Sequence, residues 1–368
     1  MKHILILGGS YAGISTAHRL LKSAPKSSMK ITLVSPNTHF YWSMASCRAA
    51  IPGGFADEQV FQPIAPGFEQ YPAGQFGFVI GEAESLDVEG KKVVVSGTAG
   101  KQVVGYDFLV LATGSSAKGG LPFKGLGSTD VTKDKLHEFQ ERVKKAGTIV
   151  VAGGGVTGCE VAGELAYEYS RDKKIILIAS GPSILPVAPP SVSNLAAKYL
   201  LDLKVDLKLR TKITSSLTLA NNKVELTLSS GNTIKADMYI PTFGLVPNSS
   251  YIPSTYLNSD GYVFVDEYLR MKGTKDIWAI GDVSCLERPQ FLTCDRQSAH
   301  VAKNLVIMLN NKAPLEYKIA TRPIGIQIGR KTATGFFGTW RLPSWLMVWA
   351  RKNLFTEKLK PTVDGSLF

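Results

Sequence analysis

Two glycine-rich turns, each set between an apolar run and a helical pattern, constrain this chain more than any other feature. In the first, Ile4-Leu5-Ile6-Leu7 breaks into Gly8-Gly9-Ser10-Tyr11-Ala12-Gly13, after which Ile14, Ala17, Leu20 and Leu21 recur at helical spacing. In the second, Thr148-Ile149-Val150-Val151-Ala152 leads into Gly153-Gly154-Gly155-Val156-Thr157-Gly158, followed by the helical Cys159-Glu160-Val161-Ala162-Gly163-Glu164-Leu165. Strand, glycine turn and helix in that order begin a dinucleotide-binding βαβ unit. The need is physical: a pyrophosphate must sit against a helix start whose free N–H groups and positive dipole end point at it. Gly8 permits the tight turn and Gly13 lets the helix pack on the strand. Ser10, the smallest polar substitute, stands where the middle glycine usually allows close approach, whereas the second copy fills all three positions with Gly153, Gly155 and Gly158. A single glycine fingerprint is a weak signal. Two in 368 residues ask for two dinucleotides, and FAD with NADH or NADPH is the pair expected.

The segments between the loops follow the same logic. Ile31-Thr32-Leu33-Val34 reads as the second strand of the first unit. Its end usually carries a carboxylate for the adenosine ribose, ~20 residues past the glycines. Here Ser35 stands there, with Asn37 close by, and either can hydrogen-bond a hydroxyl. Val79 to Ala83 and Lys91 to Val95 read as strands of a hairpin-rich insertion. Tyr106 to Leu111 reads as a buried strand, and the small residues Ala112, Thr113 and Gly114 after it let the chain cross close to a bound cofactor. Met238 to Gly244 repeats that pattern. Ile175 to Ile178 ends in Ala179-Ser180, with neither a carboxylate to favour NADH nor an arginine beside it, so both nicotinamide cofactors are expected to serve within tenfold, ~1.4 kcal/mol. Asp276 to Asp282 is a strand with an acidic residue at its carboxyl end, and an amphipathic helix follows over Gln297 to Leu309.

The fold class expected is α/β: two Rossmann-like dinucleotide-binding domains, the second inserted in the first, plus a C-terminal α+β domain. The expected divisions are 1-118 and 246-313 for the FAD domain, 119-245 for the NAD(P)H domain and 314-368 for the C-terminal domain. Composition adds limits. With 42 Lys+Arg against 30 Asp+Glu the net charge is +12, which favours anionic cofactors or acidic surfaces. No basic cluster with interleaved aromatics is present, so nucleic acid is the least favoured partner. The four cysteines, Cys47, Cys159, Cys285 and Cys294, show no CxxC and no metal spacing, which fits a reducing compartment and no metal. No apolar run reaches the ~20 residues that cross a bilayer. The first strand begins almost at Met1, so no leader is expected, and the absence of a glycine at position 2 excludes N-myristoylation. A cytoplasmic monomer or homodimer, with contact at a membrane surface held open, is the expectation.

Taken together, these motifs resemble the two-dinucleotide-binding flavoprotein oxidoreductases, and within them the apoptosis-inducing-factor-like branch with its NAD(P)H:quinone oxidoreductases. The resemblance spans nearly the whole chain. It rests on the paired loops, on Arg48 after the aromatic stretch from Phe40, on GGGVTGCE with its trailing glutamate, and on the tail Ile328-Gly329-Arg330 with Arg351 to Phe355. It implies hydride transfer from NAD(P)H through FAD to a quinone-like acceptor. The residues expected to bind the cofactors are Gly8, Gly9, Ser10, Tyr11, Ala12, Gly13, Ser35, Asn37, Arg48, Ala83, Thr113, Gly114, Gly281 and Asp282 for FAD. For the nicotinamide dinucleotide they are Gly153, Gly155, Val156, Thr157, Gly158, Ser180 and Gly244. The resemblance implies that Asp282 bonds the ribityl hydroxyls, that Arg48 contacts the flavin, and that Glu160 is catalytic, near the nicotinamide and the reactive edge of the flavin. A helix from about Arg296 could aim its positive end at the flavin ring.

Two stretches leave alternatives open. Cys47 could be a redox thiol of an NADH oxidase or peroxidase, its pKa lowered by Arg48, or a small buried cysteine. A third reading of the whole chain is a slow NAD(P)H-sensing binding protein. In Arg341 to Lys352, Leu342, Trp345, Leu346 and Trp349 share one helical face with Arg351 and Lys352 at its end. That suits a helix lying in a membrane interface, and equally a helix packed on the flavin domain or a second copy.

Overall fold

A computed structural model describes residues 1–25, 28–98 and 100–368. Its largest sheet has seven strands in the order Ile277–Ala279, Phe108–Leu111, Lys2–Leu7, Met29–Ser35, Phe76–Asp87, Lys92–Gly97 and Gly100–Gly105. The first five run parallel, so their carboxyl ends face one crevice. Ile4, Leu5, Ile6 and Leu7 are all buried, because helices or packed strands cover both faces. The first-loop helix Tyr11–Ser23 lies against one face and packs on the long helix Phe291–Leu309.

The chain then leaves this sheet and builds a second, ordered Asp206–Lys208, Lys174–Ile178, Thr148–Ala152 and Met238–Pro241, again all parallel. An antiparallel three-stranded sheet, Ile213–Thr218, Val224–Leu228 and Thr233–Ala236, flanks it. Strand Ile277–Ala279 returns to the first sheet beside Phe108–Leu111, as a chain with one nucleotide unit inserted in another must do. The C-terminal part pairs Pro323–Ile328 with Thr332–Phe337 and that strand with Trp340–Arg341, then adds the helix Ser344–Arg351. The layers are those of an α/β fold with an α+β tail.

Two expectations are corrected here. Phe76–Asp87 is no insertion: its first half extends the parallel sheet beside Met29–Ser35, and its second half turns antiparallel partner to Lys92–Gly97. The hydrophobic alternation was right, but only the register shows which strand it joins. The late helix begins at Phe291, five residues before Arg296, because Gln290 is extended and the turn starts there.

Candidate functional site

The two glycine loops are built alike. Gly8 and Gly153 have φ of 118° and 121°, a region that favours glycine. A Cβ on Gly13 would lie 1.9 Å from the Gly8 carbonyl oxygen, and one on Gly158 would lie 1.9 Å from that of Gly153. Each helix is therefore seated directly on its own turn. A Cβ on Gly9 would lie 2.6 Å from Ser35, and one on Gly154 would lie 2.8 Å from the Cβ of Ala179. The tip of the second strand closes the floor of each loop. Neither helix start has a side-chain cap, and neither has an acidic residue in its first turn, whereas Thr129–Lys145 has both Ser128 as cap and Asp130. Helix starts left without an anion of their own, in front of a floor that admits no side chain, fit a pyrophosphate. Gly155 opens on free space, with no atom within 4 Å of an added Cβ.

Around the first loop the structure collects most of the residues read from the sequence. A Cβ on Gly8 would meet the Ala112 carbonyl, so the Thr113-Gly114 turn does cross close to it. Thr113 donates to the Asn248 carbonyl at 2.7 Å. Asn37 N–H donates to the Ser35 hydroxyl at 3.1 Å, which ties that pair together behind the loop. Ala83 lies three residues beyond Ile80, the partner of Ser35, at the same edge of the sheet. Gly281 approaches Ala12 and Cys294, and its N–H donates to Gln297 at 2.7 Å. Asp282 is buried and already engaged: Lys124 Nζ donates to it at 2.7 Å and Ser115 Oγ at 3.0 Å. Burial works against the Lys124 charge, but Asp282 more than offsets it by attraction and a hydrogen bond, and the lysine pKa ends above its ordinary value.

Beside these, Tyr11, Trp42, Phe291 and Phe355 form an aromatic wall. Tyr11 and Phe291 meet edge to face at 4.6 Å between centroids, Trp42 stands 5.9 Å from Phe291, and Phe355 stacks on it at 6.4 Å. Trp42 Nε1 donates to the Leu354 carbonyl at 3.0 Å, which fastens the aromatic segment to the tail. Tyr11 Oη donates to Asp295 at 2.8 Å, and burial, with Asp295 beside it, pushes the phenol pKa up.

Around the second loop, Ser180 is exposed just past the strand end and Gly244 takes a φ of 80° beside Lys118. The helix Val156–Tyr169 then carries Glu160 and Glu164 four residues apart on one face. Both are buried. Arg48 gives Nε and Nη2 to Glu164 at 2.9 and 2.8 Å, and Nη1 to the Lys352 carbonyl at 2.7 Å. Arg351 gives Nη2 to Glu160 at 2.6 Å, and the Gln327 N–H donates to the same oxygen at 3.2 Å. Burial raises the Glu160 pKa, with Arg351 opposing it. This charged seam joins the second-loop helix, the segment after the aromatic stretch and the tail.

The seam bears on three residues read from the sequence. Arg48 is paired with Glu164 and with the tail. Glu160 sits one position beyond the first helical turn and faces neither solvent nor an open crevice, because Arg351 covers it. Cys47 points its thiol at Glu160, 3.8 Å away, not at Arg48. Burial, and then the Glu160 carboxylate, push its pKa well up, the reverse of what a peroxidatic thiol requires. All four cysteines are free thiols.

The tail also divides. Helix Ser344–Arg351 packs on its sheet through Met347 and Arg351, which fill the space over Gly325. Trp345 and Trp349 turn the other way, 74% and 75% exposed, with Trp340 on the neighbouring strand 79% exposed. Arg351 is thus withdrawn from the surface role read for it, while Arg341 and Lys352 remain exposed. No helix among the described residues is long and apolar enough to cross a membrane.

Sequence reasoning missed Lys124, Ser115, and the partner roles of Arg351 and of Arg330, which lies 3.1 Å from Glu168 and 3.8 Å from Glu164. Glu160 and Glu164, at i and i+4 among the small and apolar residues Val161, Ala162, Gly163 and Leu165, were the signal that buried cations would be needed.

Residues 2–304 match the family model described as pyridine nucleotide-disulphide oxidoreductase. The chain is 51% identical over 371 residues to oxidoreductase ptaL of Pestalotiopsis fici, with both chains covered in full. It is 28% identical over 380 residues to ferroptosis suppressor protein 1 of Taeniopygia guttata, covering 99% of this chain and 96% of that one. Among solved structures, the sulfide:quinone oxidoreductase of Aquifex aeolicus superposes with a TM-score of 0.78 at 20% identity, over 98% of this chain and 92% of that one.

Proposed function

The chain belongs to the pyridine nucleotide-disulphide oxidoreductase family and is an FAD-dependent NAD(P)H oxidoreductase acting on a small-molecule acceptor; we propose that this acceptor is a quinone-like aromatic molecule. The observation that carries the proposal is the wall of Tyr11, Trp42, Phe291 and Phe355, built from the first loop, the aromatic segment, the late helix and the tail. Phe291 and Phe355 are the partly exposed members, backed by the buried Tyr11 and Trp42, and flat aromatic rings stacking on them gain ~0.5–1.5 kcal/mol per pair beyond area burial. Cys47, the thiol at the seam, is held protonated, so it supplies no relay toward a peroxide.

Bound FAD supplies the two-electron chemistry between NAD(P)H and the acceptor. The chain binds, orients and excludes water. Gly8 to Gly13 and Gly153 to Gly158 hold the two pyrophosphates. Asp282 with Lys124 and Ser115 lines the flavin side, and Glu160 with Arg351 fixes the seam where the two dinucleotide ends have to meet. Positioning of this kind contributes much of a rate enhancement without any group of the protein changing bonds. The uncovered Trp345 and Trp349 face, with Trp340, Arg341 and Lys352, meets a membrane surface, where long-chain quinones reside.

The test is anaerobic reduction of the flavoprotein by NADH or NADPH, followed by mixing with short and long quinones, peroxide and oxygen. Quinones should reoxidise it fastest. Faster reoxidation by peroxide, lost in Cys47→Ser, would sink the reading.

A further inference from the structure

We propose that Arg210 makes the second dinucleotide site selective for NADPH by binding the 2′-phosphate that Ala179 and Ser180 leave unopposed. The inference rests on the reading of Gly153 to Gly158 as the nicotinamide-dinucleotide loop. The sequence shows no arginine near Ala179-Ser180; the fold brings one there from thirty residues further on.

The placement is made by backbone hydrogen bonds. Ala179 N–H donates to the Lys208 carbonyl at 2.9 Å, Arg210 N–H donates to the Gly181 carbonyl at 2.9 Å, and Thr211 N–H donates to the Ala179 carbonyl at 3.1 Å. Segment 208–211 is therefore clamped along segment 179–181. Ala179 in turn forms the floor under Gly154. In a unit of this kind the ribose of the adenosine half lies over the end of that second strand. A carboxylate there would take the ribose hydroxyls and repel a 2′-phosphate; Ala179 is apolar and buried, and Ser180 is neutral and exposed.

Arg210 has what a phosphate needs. Its side chain is exposed, and no ion pair holds it among the described residues. Its φ is 50°, in the left-handed region, as the chain turns out of the strand Asp206–Lys208. Lys212 is exposed two residues on, also without an ion pair, and the nearest carboxylate along the strand, Asp206, already faces Lys174 and Lys208. A guanidinium presents its donors in a fork that matches two phosphate oxygens, which an ammonium does not.

The experiment is equilibrium titration of the flavoprotein with 2′,5′-ADP and with 5′-AMP, which differ only in the phosphate at issue. The unaltered protein should bind 2′,5′-ADP at least tenfold more tightly. That advantage should shrink as pH falls through about 6, where a phosphate monoester dianion takes up a proton. Arg210→Ala should abolish the advantage while 5′-AMP affinity stays within twofold, and Arg210→Lys should keep part of it; an unchanged flavin spectrum certifies the fold. KM for NADPH should rise at least tenfold in Arg210→Ala, with KM for NADH unmoved. Equal binding of the two nucleotides by the unaltered protein, or an advantage that survives Arg210→Ala, overturns the role of Arg210 alone. Failure of both nucleotides to bind overturns the reading of the loop on which it rests.

Discussion

Replacing Arg351 with methionine removes the cation over Glu160 while keeping most of its volume. Glu160 is buried, and its Oε1 accepts from Arg351 and from the Gln327 N–H. Breaking a buried pair at one end leaves an uncompensated charge and costs about 3–5 kcal/mol. For a chain of this length the unfolding entropy is roughly 0.8 kcal/mol/K, so a loss of that size lowers Tm by roughly 4–6 °C if the chain melts as one unit. The sign of the pH dependence follows from the direction of the Glu160 shift. Burial already holds its pKa above the ordinary glutamate value, and Arg351 is the chief group opposing that. Without Arg351 the folded pKa climbs further. A raised carboxyl pKa contributes stability that is present below the unfolded pKa and lost as pH rises through the folded one. Over about pH 5 to 8 the variant should therefore lie closest to the unaltered protein at the acidic end and fall further below it as pH rises, at most ~1.4 kcal/mol per unit.

The assay is thermal unfolding of the flavoprotein over that pH range for Arg351→Met, Glu160→Gln and the double variant. The amide that replaces the Glu160 carboxylate needs no cation, and its oxygen still accepts from the Gln327 N–H. The double variant should therefore recover much of the loss and flatten the pH dependence. The coupling between the two changes should exceed ~1 kcal/mol. A single variant that melts within 1 °C (roughly) of the unaltered protein, or a gap that is the same at every pH, refutes the buried-pair argument.

Gly13→Leu puts a side chain onto the Gly8 carbonyl, so the purified protein should be colourless or unfolded, read from its visible spectrum; a normal flavin spectrum would count against the loop assignment. Trp345→Ser with Trp349→Ser should weaken salt-sensitive binding to anionic vesicles and slow long-chain quinone reduction, leaving a short soluble quinone nearly unaffected; equal slowing of both would make the helix purely structural. Cys47→Ser should retain quinone reduction within a few fold, measured at steady state, because its thiol is held protonated. His18 is buried between Tyr71 and the Val363 carbonyl, and burial lowers its pKa to about 4. Stability should therefore drop by roughly 3 kcal/mol as pH falls from about 6.5 toward 4, and His18→Gln should drop less over that range in the same melting assay.

The paired loops made the fold legible because a turn that must sit under a helix leaves glycine no alternative, and that requirement is local in sequence. The same holds for Thr113-Gly114 and Gly244, small where the chain crosses a loop. What was not legible is everything set by contacts across hundreds of residues. Arg48 and Cys47 are neighbours in sequence, yet the fold sends one to Glu164 and the other to Glu160, so a pKa argument from adjacency took the wrong sign. The Trp345 and Trp349 face was readable as a stripe, but only packing shows that Met347 and Arg351 are the side turned inward. Asp282 was readable as the end of a strand, and Lys124, its partner from 158 residues away, was not.

The two halves repeat a geometry, and comparing them explains their differences. Position 35 closes the floor of the first loop as position 179 closes that of the second, and both stand within 3 Å of an added Cβ on the glycine above. Each is small, Ser35 and Ala179, and neither is a carboxylate. The first half has a local polar pair: the hydroxyl of Ser35 takes the Asn37 N–H, and on the proposed reading this neutral pair meets the ribose. The second half has no polar group at 179 and, on the proposed reading, compensates through Arg210, two residues past the next strand. A neutral pair suits a ribose whose hydroxyls are free, as in FAD. A cation suits a ribose that carries a phosphate. On the proposed reading, one repeated framework, with its acidic residue absent from both copies, is fitted to two different adenosine ends by residues outside the glycine fingerprint.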